Sequence, residues 1–267
     1  MYRLLATDID DTLLDPDGAL PAVNRESLRD LAARGVAVVL TSGRAVVSTR
    51  MIAERIFDPE ADEYLICFNG AVVTTTRSRK LISSVVLDRE VVARVAHYAR
   101  EQDLVLQAYG RDDFVVERDH ELSRRYARDT DMQYRIVKNL AELDEGGTPK
   151  LLLIGDHDAL AEHQRELSRL APQASVMFSK PRYLEIVGEG IAKGSALRAL
   201  AAKLDIPIEE TLAIGDSLND LSMIEAAGLG VAVANARSEV KEAADIVTER
   251  SAAEGAVSEV VARFFSA

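Results

Sequence analysis

The sequence predicts an α/β fold: a Rossmann-like parallel sheet core with helices on both faces, plus an inserted α+β domain. Short apolar runs rich in Val, Ile and Leu alternate with amphipathic stretches of 10 to 16 residues, the rhythm of βαβ units. That rhythm holds at both ends of the chain and breaks in the middle. A length of 267 residues with 48% apolar residues leaves room for one core and a satellite, since domains run ~100–200 residues.

The opening half reads as a strand over 2–7, a helix over 21–34, a strand over 36–41, a helix over 45–57 and a strand over 64–68. Gly35 and Pro59 fall where the two helices should end, because Gly closes a helix in the left-handed conformation and Pro cannot continue one. From Thr211 the order returns: strand TLAIG, a helix over 218–227, strand LGVAV, a helix over 238–244, a short strand DIVT and a last helix to Phe265. Between these halves lie a helix over 88–101, the runs LVLQAY and DFVVE, strand MQYRIV, strand KLLLIG, a helix over 159–170 and strand SVMFS. The charged stretch RDHELSRRYARD among them reads as a solvated helix or loop, or as lining for a substrate entrance. The two ends are therefore expected to form one core, 1–83 and 184–267, with 84–183 as the insert.

Composition excludes several classes of function. Acidic residues number 44 against 32 basic ones, a formal charge of -12 that repels nucleic acid and anionic membrane surfaces. Every apolar run is broken well short of the ~20 residues a membrane helix needs. Asp8, Asp10 and Asp11 stand where an export signal would carry its apolar middle. The single cysteine, Cys67, has no partner in the chain, so a disulfide scaffold is excluded and a reducing cytoplasm is expected. Cys67, Tyr64 and Met223 read as core, and the four histidines, scattered without metal spacing, as surface or capping groups.

Three strand ends carry chemistry. YRLLAT runs into DIDDTLL, so Asp8 and Asp10 follow the carboxyl end of the first strand, where open α/β sheets keep their ligand crevices. Two carboxylates a few ångströms apart repel by about 1–4 kcal/mol unless a cation or proton is shared, and a divalent metal is one remedy. A solvated turn with helix-capping aspartates is the other reading. The strand VAVVL ends in TSGR, where Ser42, Gly43 and Arg44 suit an anion, although Ser before Gly at a strand-to-helix joint is also an ordinary N-cap. TLAIG ends in GDSLND, with Asp216 at the tip and Asp220 one helical turn on. If the sheet is parallel, these acids converge, and a donor set of oxygens without His or Cys suits Mg2+ over Zn2+. Lys193, at the start of a helix in GIAKGSALRAL, is a surface lysine on its own and a charge partner if it lies near that cluster.

Taken together, these residues resemble the haloacid dehalogenase superfamily of phosphohydrolases, in particular its Cof-type members with a large cap inserted after the third core strand. The motifs stand in order as DIDDTLL, TSGR, Lys193 and GDSLND, with FNGA at 68–71, YLEI before the lysine, AAGLGVAVANA at 226–236 and Lys241. The resemblance implies Asp8 as nucleophile and Asp10 as the acid, then base, of a two-step hydrolysis through an aspartyl-phosphate. It implies Mg2+ held by Asp8, the Asp10 carbonyl, Asp216 and Asp220, and a phosphoryl group held by Ser42, the Gly43 backbone, Asn219 and Lys193. Arg44 and Asn69 match positions near the substrate entrance. One departure is Asp11, where relatives often carry Gly; a slower rate or altered metal affinity is the expected consequence. The implied function is a Mg2+-dependent phosphatase of small phosphorylated metabolites, cytoplasmic, monomeric or homodimeric, with no nucleic acid or membrane partner. A mutase of the same fold and a non-catalytic metabolite-binding module are the alternatives.

Overall fold

Residues 4–8, LLATD, have no exposed position, and a strand buried on both faces is what a parallel sheet covered by helices requires. In the computed structural model, which describes residues 1–110, 113–143 and 147–265, this segment is the central strand of the larger of two sheets. In chain order the first elements are β1 (Leu4–Asp8), α1 (Ala22–Ala33), β2 (Ala37–Thr41), α2 (Val46–Ala53), β3 (Tyr64–Cys67), β4 (Val72–Thr75) and β5 (Leu81–Ser84). Then come α3 (Arg89–Glu101), β6 (Val105–Tyr109), β7 (Asp113–Val116), α4 (Glu121–Thr130), β8 (Gln133–Ile136), β9 (Lys150–Ile154), α5 (His157–Leu170), β10 (Ala174–Lys180) and β11 (Tyr183–Gly188). The chain closes with α6 (Lys193–Lys203), β12 (Thr211–Gly215), α7 (Leu221–Ala226), β13 (Leu229–Ala232), α8 (Ser238–Ala243), β14 (Ile246–Val247) and α9 (Ala256–Phe264).

These elements form two units. The first comprises Met1–Arg44, Thr49–Ser83 and Ala192–Ala267, and its sheet runs β14-β13-β12-β1-β2-β3-β4-β5. Strands β14 through β3 are parallel, and β4 turns back antiparallel on β3. Side chains alternate between faces along a strand, so Leu4 and Ala6 join Val39, Ile66 and Ala213 on the face covered by Leu197 and Leu200 of α6 and Met223 of α7. The intervening Leu5 point away, toward the opposite layer, where α1 packs against β2 and α9. Each leucine buried this way contributes ~1.5–3 kcal/mol. The chain leaves β1 toward β2 on one side and returns through β12 on the other, so the carboxyl ends of β12, β1 and β2 stand side by side at a topological switch point.

The second unit, chiefly Ser84–Ile191, carries the sheet β10-β11-β9-β6-β7-β8. It is antiparallel except for β7 and β8. Its own core joins Val91, Val95 and Ala99 of α3 and Leu160 and Leu167 of α5 to Leu151, Leu153, Leu184 and Ile186 of the sheet. The joint expected at 183/184 falls at the start of β11. Pairing with β9 and β10 places that strand in the second unit, which runs on to Ile191. Two strands, β4 and β5, precede the second unit where the sequence pattern announced none. The stretch RDHELSRRYARD contains α4, capped by His120, whose ring nitrogen accepts from the Leu122 N–H at 3.1 Å. Among the described residues no helix is long and apolar enough to cross a membrane.

Candidate active site

Because β1, β2 and β12 lie in register, with Asp8 opposite Thr41 and Thr7 opposite Ile214, the three acid-tipped or hydroxyl-tipped strand ends meet. Asp8, Asp216 and Asp220 are all buried, and each offers a carboxylate oxygen within 4.8 Å of the others. Lys193, 0% exposed, reaches into this cluster from the first turn of α6. Its ammonium donates to Asp8 Oδ1 and, at 2.6 Å, to Asp220 Oδ1. The surface reading of Lys193 is thereby excluded. Burial would push this ammonium down, but the Asp8 and Asp220 carboxylates outweigh it and hold the group above its ordinary range. Burial, then the Asp220 charge, pushes the Asp8 carboxyl well up, with Lys193 pulling the other way. The Asp216 carboxyl is pushed up by burial too. When all three are ionised, three carboxylates against one ammonium leave two negative charges uncompensated, which is the charge of one divalent cation.

The loop after β12 is built to present these acids. Asp220 folds back so that its Oδ2 accepts from the N–H groups of Asp216, at 3.1 Å, and Ser217, at 3.0 Å. Gly215 permits this, because a Cβ there would lie 2.5 Å from the Asp220 Cβ. With both oxygens engaged, Asp220 orders the loop and Lys193 as well as adding charge. Asp216 accepts from Thr12 Oγ1 at 2.9 Å and from Ser217 Oγ at 2.7 Å. Thr12 is fully buried and ties the first motif to the last. The sequence alone does not single it out; a hydroxyl heading the apolar pair Leu13–Leu14 is the one available signal.

The Asp10 side chain lies outside the buried cluster. It is 53% exposed and forms a two-point pair with Arg44, whose Nε lies 2.8 Å from Oδ2. Only its backbone remains a candidate for the metal. Ser42 is buried, and its hydroxyl accepts from the Arg44 N–H at 3.1 Å, the capping contact the sequence also allowed. Asn219 is exposed and its Nδ2 donates to Asn69 Oδ1 at 3.0 Å.

Asp11 has φ 58, a left-handed conformation that Gly adopts freely and Asp tolerates better than most residues. The departure from Gly is thus accommodated by the backbone. The Asp11 carbonyl accepts from Asn235 Nδ2 at 2.7 Å, and Asn235 Oδ1 accepts from the Ala252 N–H at 2.8 Å, so Asn235 pins the loop. Since Gly exchanges relief of left-handed strain for a larger loss of backbone entropy, Asp11→Gly should change stability by less than ~1 kcal/mol and leave turnover within a few-fold. Urea melts and initial rates check this; a tenfold rate gain would show that the Asp11 side chain itself restrains the reaction.

Residues 5–261 match the family of haloacid dehalogenase-like hydrolases. The phosphatase YwpJ of Bacillus subtilis is 30% identical over 273 residues, covering 92% of this chain and 94% of that protein. An HMP-PP phosphatase of Cronobacter sakazakii is 30% identical over 237 residues, covering 88% and 85%. The 5-amino-6-(5-phospho-D-ribitylamino)uracil phosphatase YcsE of Bacillus subtilis is 30% identical over 258 residues, covering 95% and 92%. Among solved structures, TM0651 of Thermotoga maritima superposes with a TM-score of 0.91 at 36% identity, covering 100% of this chain and 99% of that one. The chain belongs to the haloacid dehalogenase-like hydrolase family and is a phosphatase within it, a phosphoric monoester hydrolase.

Proposed function

We propose that this phosphatase is Mg2+-dependent and hydrolyses small phosphorylated metabolites, sugar phosphates or similar, through an aspartyl-phosphate on Asp8. The observation that carries the reading is the convergence of Asp8, Asp216, Asp220 and Lys193 into one buried cluster that lacks two positive charges. A donor set of oxygens fits Mg2+, with Asp8, the Asp10 carbonyl and Asp216 as holders and Asp220 beside them. Bound there, Mg2+ would neutralise charge on the attacking carboxylate and on the phosphoryl oxygens. Relatives 30% identical are named for two different small phosphate esters, which supports the class of substrate and not one member of it.

In the first step an Asp8 oxygen forms a bond to phosphorus as the ester P–O bond breaks, and the departing alkoxide takes its proton from Asp10. Arg44 must release Asp10 for this, since the guanidinium fork occupies both carboxylate oxygens. In the second step Asp10 removes a proton from water, the water oxygen attacks phosphorus, and the acyl phosphate bond to Asp8 breaks. Lys193, Ser42, the Gly43 N–H and Asn219 hold the phosphoryl oxygens throughout, and positioning with electrostatics supplies most of the rate.

The test is release of p-nitrophenol from p-nitrophenyl phosphate. Turnover should require Mg2+, fall to background in EDTA and return on adding excess Mg2+. Equal rates with Mg2+ and with EDTA would refute metal dependence.

A further inference from the structure

We propose that Asn69 is a positioning residue of the phosphoryl pocket: its side-chain oxygen fixes the carboxamide of Asn219 so that Asn219 turns N–H, and not oxygen, toward the phosphoryl group. The proposal rests on the phosphatase reading above and adds a residue to it.

Asn69 sits in a turn that its own backbone does not favour. Phe68, Asn69 and Gly70 have φ of 51, 56 and 111, three successive residues in the left-handed region and two of them with side chains. Such conformations persist where surrounding structure imposes them. Here the Phe68 N–H donates to the Arg44 carbonyl and the Asn69 N–H to the Ser42 carbonyl, both at 3.0 Å, so the turn is strapped along the TSGR loop. On its other side Gly70 presses against the start of α6, where a Cβ would come within 2.5 Å of the Ala192 carbonyl oxygen, next to Lys193. Glycine at position 69 would satisfy this backbone at least as well as Asn. The Asn69 side chain therefore has to be explained by what it touches.

It touches two loops of the site. Its amide lies across Gly43, where a Cβ would meet Oδ1 at 3.1 Å and Nδ2 at 3.2 Å. Its Oδ1 accepts from Asn219 Nδ2 at 3.0 Å. A primary carboxamide can rotate by half a turn and exchange oxygen for nitrogen at little steric cost. With the acceptor of Asn69 in place, one Asn219 N–H is spent on it and the second has no partner among the described residues. Without that acceptor, the Asn219 oxygen is free to face the phosphoryl dianion, which it repels. Asn69 thus selects the orientation in which Asn219 is a donor.

The experiment compares wild type, Asn69→Gly, Asn219→Ala and the double variant, with Asp8→Asn as the inactive control. KM and kcat are measured on p-nitrophenyl phosphate with Mg2+, and the Kd of inorganic phosphate by calorimetry. Asn69→Gly should melt at or above the wild-type temperature yet raise KM and the phosphate Kd by ~10-fold, the scale of one charge-assisted hydrogen bond. The double variant should be no worse than Asn219→Ala alone, because both changes remove the same donor. Wild-type KM and Kd in Asn69→Gly would overturn the proposal and leave Asn69 as a turn residue. Losses that multiply in the double variant would overturn it as well, since Asn69 would then act independently of Asn219. If wild type neither turns over nor binds phosphate while Asp8→Asn behaves identically, the phosphatase reading itself falls and this inference with it.

Discussion

Asp8→Asn should lower Mg2+-dependent phosphate release by ~10^3-fold or more, because a neutral carboxamide oxygen is a far weaker nucleophile toward phosphorus than a carboxylate. The substitution keeps the shape of the side chain, and its oxygen still accepts from Lys193. It also removes a carboxyl group that burial and then the Asp220 charge push well up, and so removes a source of repulsion in the cluster. The variant should accordingly fold, with a melting temperature in EDTA equal to or above wild type. Activity and stability then move in opposite directions, which a merely structural aspartate would not produce. A folded Asp8→Asn protein with more than a few per cent of wild-type turnover would remove Asp8 as the nucleophile. Incubating wild type with substrate and quenching in acid should in turn show phosphate attached to the chain, and Asp8→Asn should show none.

Much of this site could be read from the chain because the parallel sheet makes it locally visible. LLATD, VVLT and TLAIG are buried along their whole length, since both faces are covered, and each ends at or one residue before a candidate site residue. Adjacency of β12, β1 and β2 then does the rest. What escaped reading depends on contacts between segments. β4 (VVTT) and β5 (LISS) are short and rich in hydroxyls, and β4 is formed by a left-handed turn at Phe68–Gly70 that propensity argues against. α4 is rich in charged residues, and Ser123 is the one fully buried position in it. Tyr126 holds it through a 2.6 Å hydrogen bond from Tyr109 and an edge contact with Tyr183. YLEI stands in the sequence as a signature before Lys193, and in the fold it belongs to an interior strand: five residues of β11, Tyr183 to Val187, pair with both β9 and β10. The Arg44–Asp10 pair and the Asn235 clasp on Asp11 join positions far apart in sequence, where spacing carries no information.

Lys193→Met should destabilise the protein by ~3–5 kcal/mol in EDTA, the cost of removing one partner from a buried ion pair, or roughly 6–20 °C in melting temperature for a chain of this size. Methionine has nearly the volume of lysine, so no cavity opens and the loss is electrostatic. What remains is Asp8, Asp216 and Asp220, buried within 4.8 Å of one another with no cation between them. The folded protein must then tolerate mutual repulsion or protonate its acids, and either way the unfolded chain, whose carboxylates are hydrated, gains relative to it. Two further measurements separate this account from a simple packing defect. Added Mg2+ should raise the melting temperature of Lys193→Met by more than that of wild type, because the cation relieves a larger excess of negative charge. Asp220→Asn introduced into Lys193→Met should recover at least half of the lost stability, since Asn retains an oxygen for the N–H groups of Asp216 and Ser217 while discarding the charge. Catalysis should not recover with stability: the double variant should stay ~10^2–10^3-fold below wild type, because the ammonium proposed to hold the phosphoryl oxygens is still missing. A Lys193→Met protein that melts with wild type in EDTA would mean that the three acids are not ionised together in the folded chain, and the charge argument for a divalent cation would fail with it.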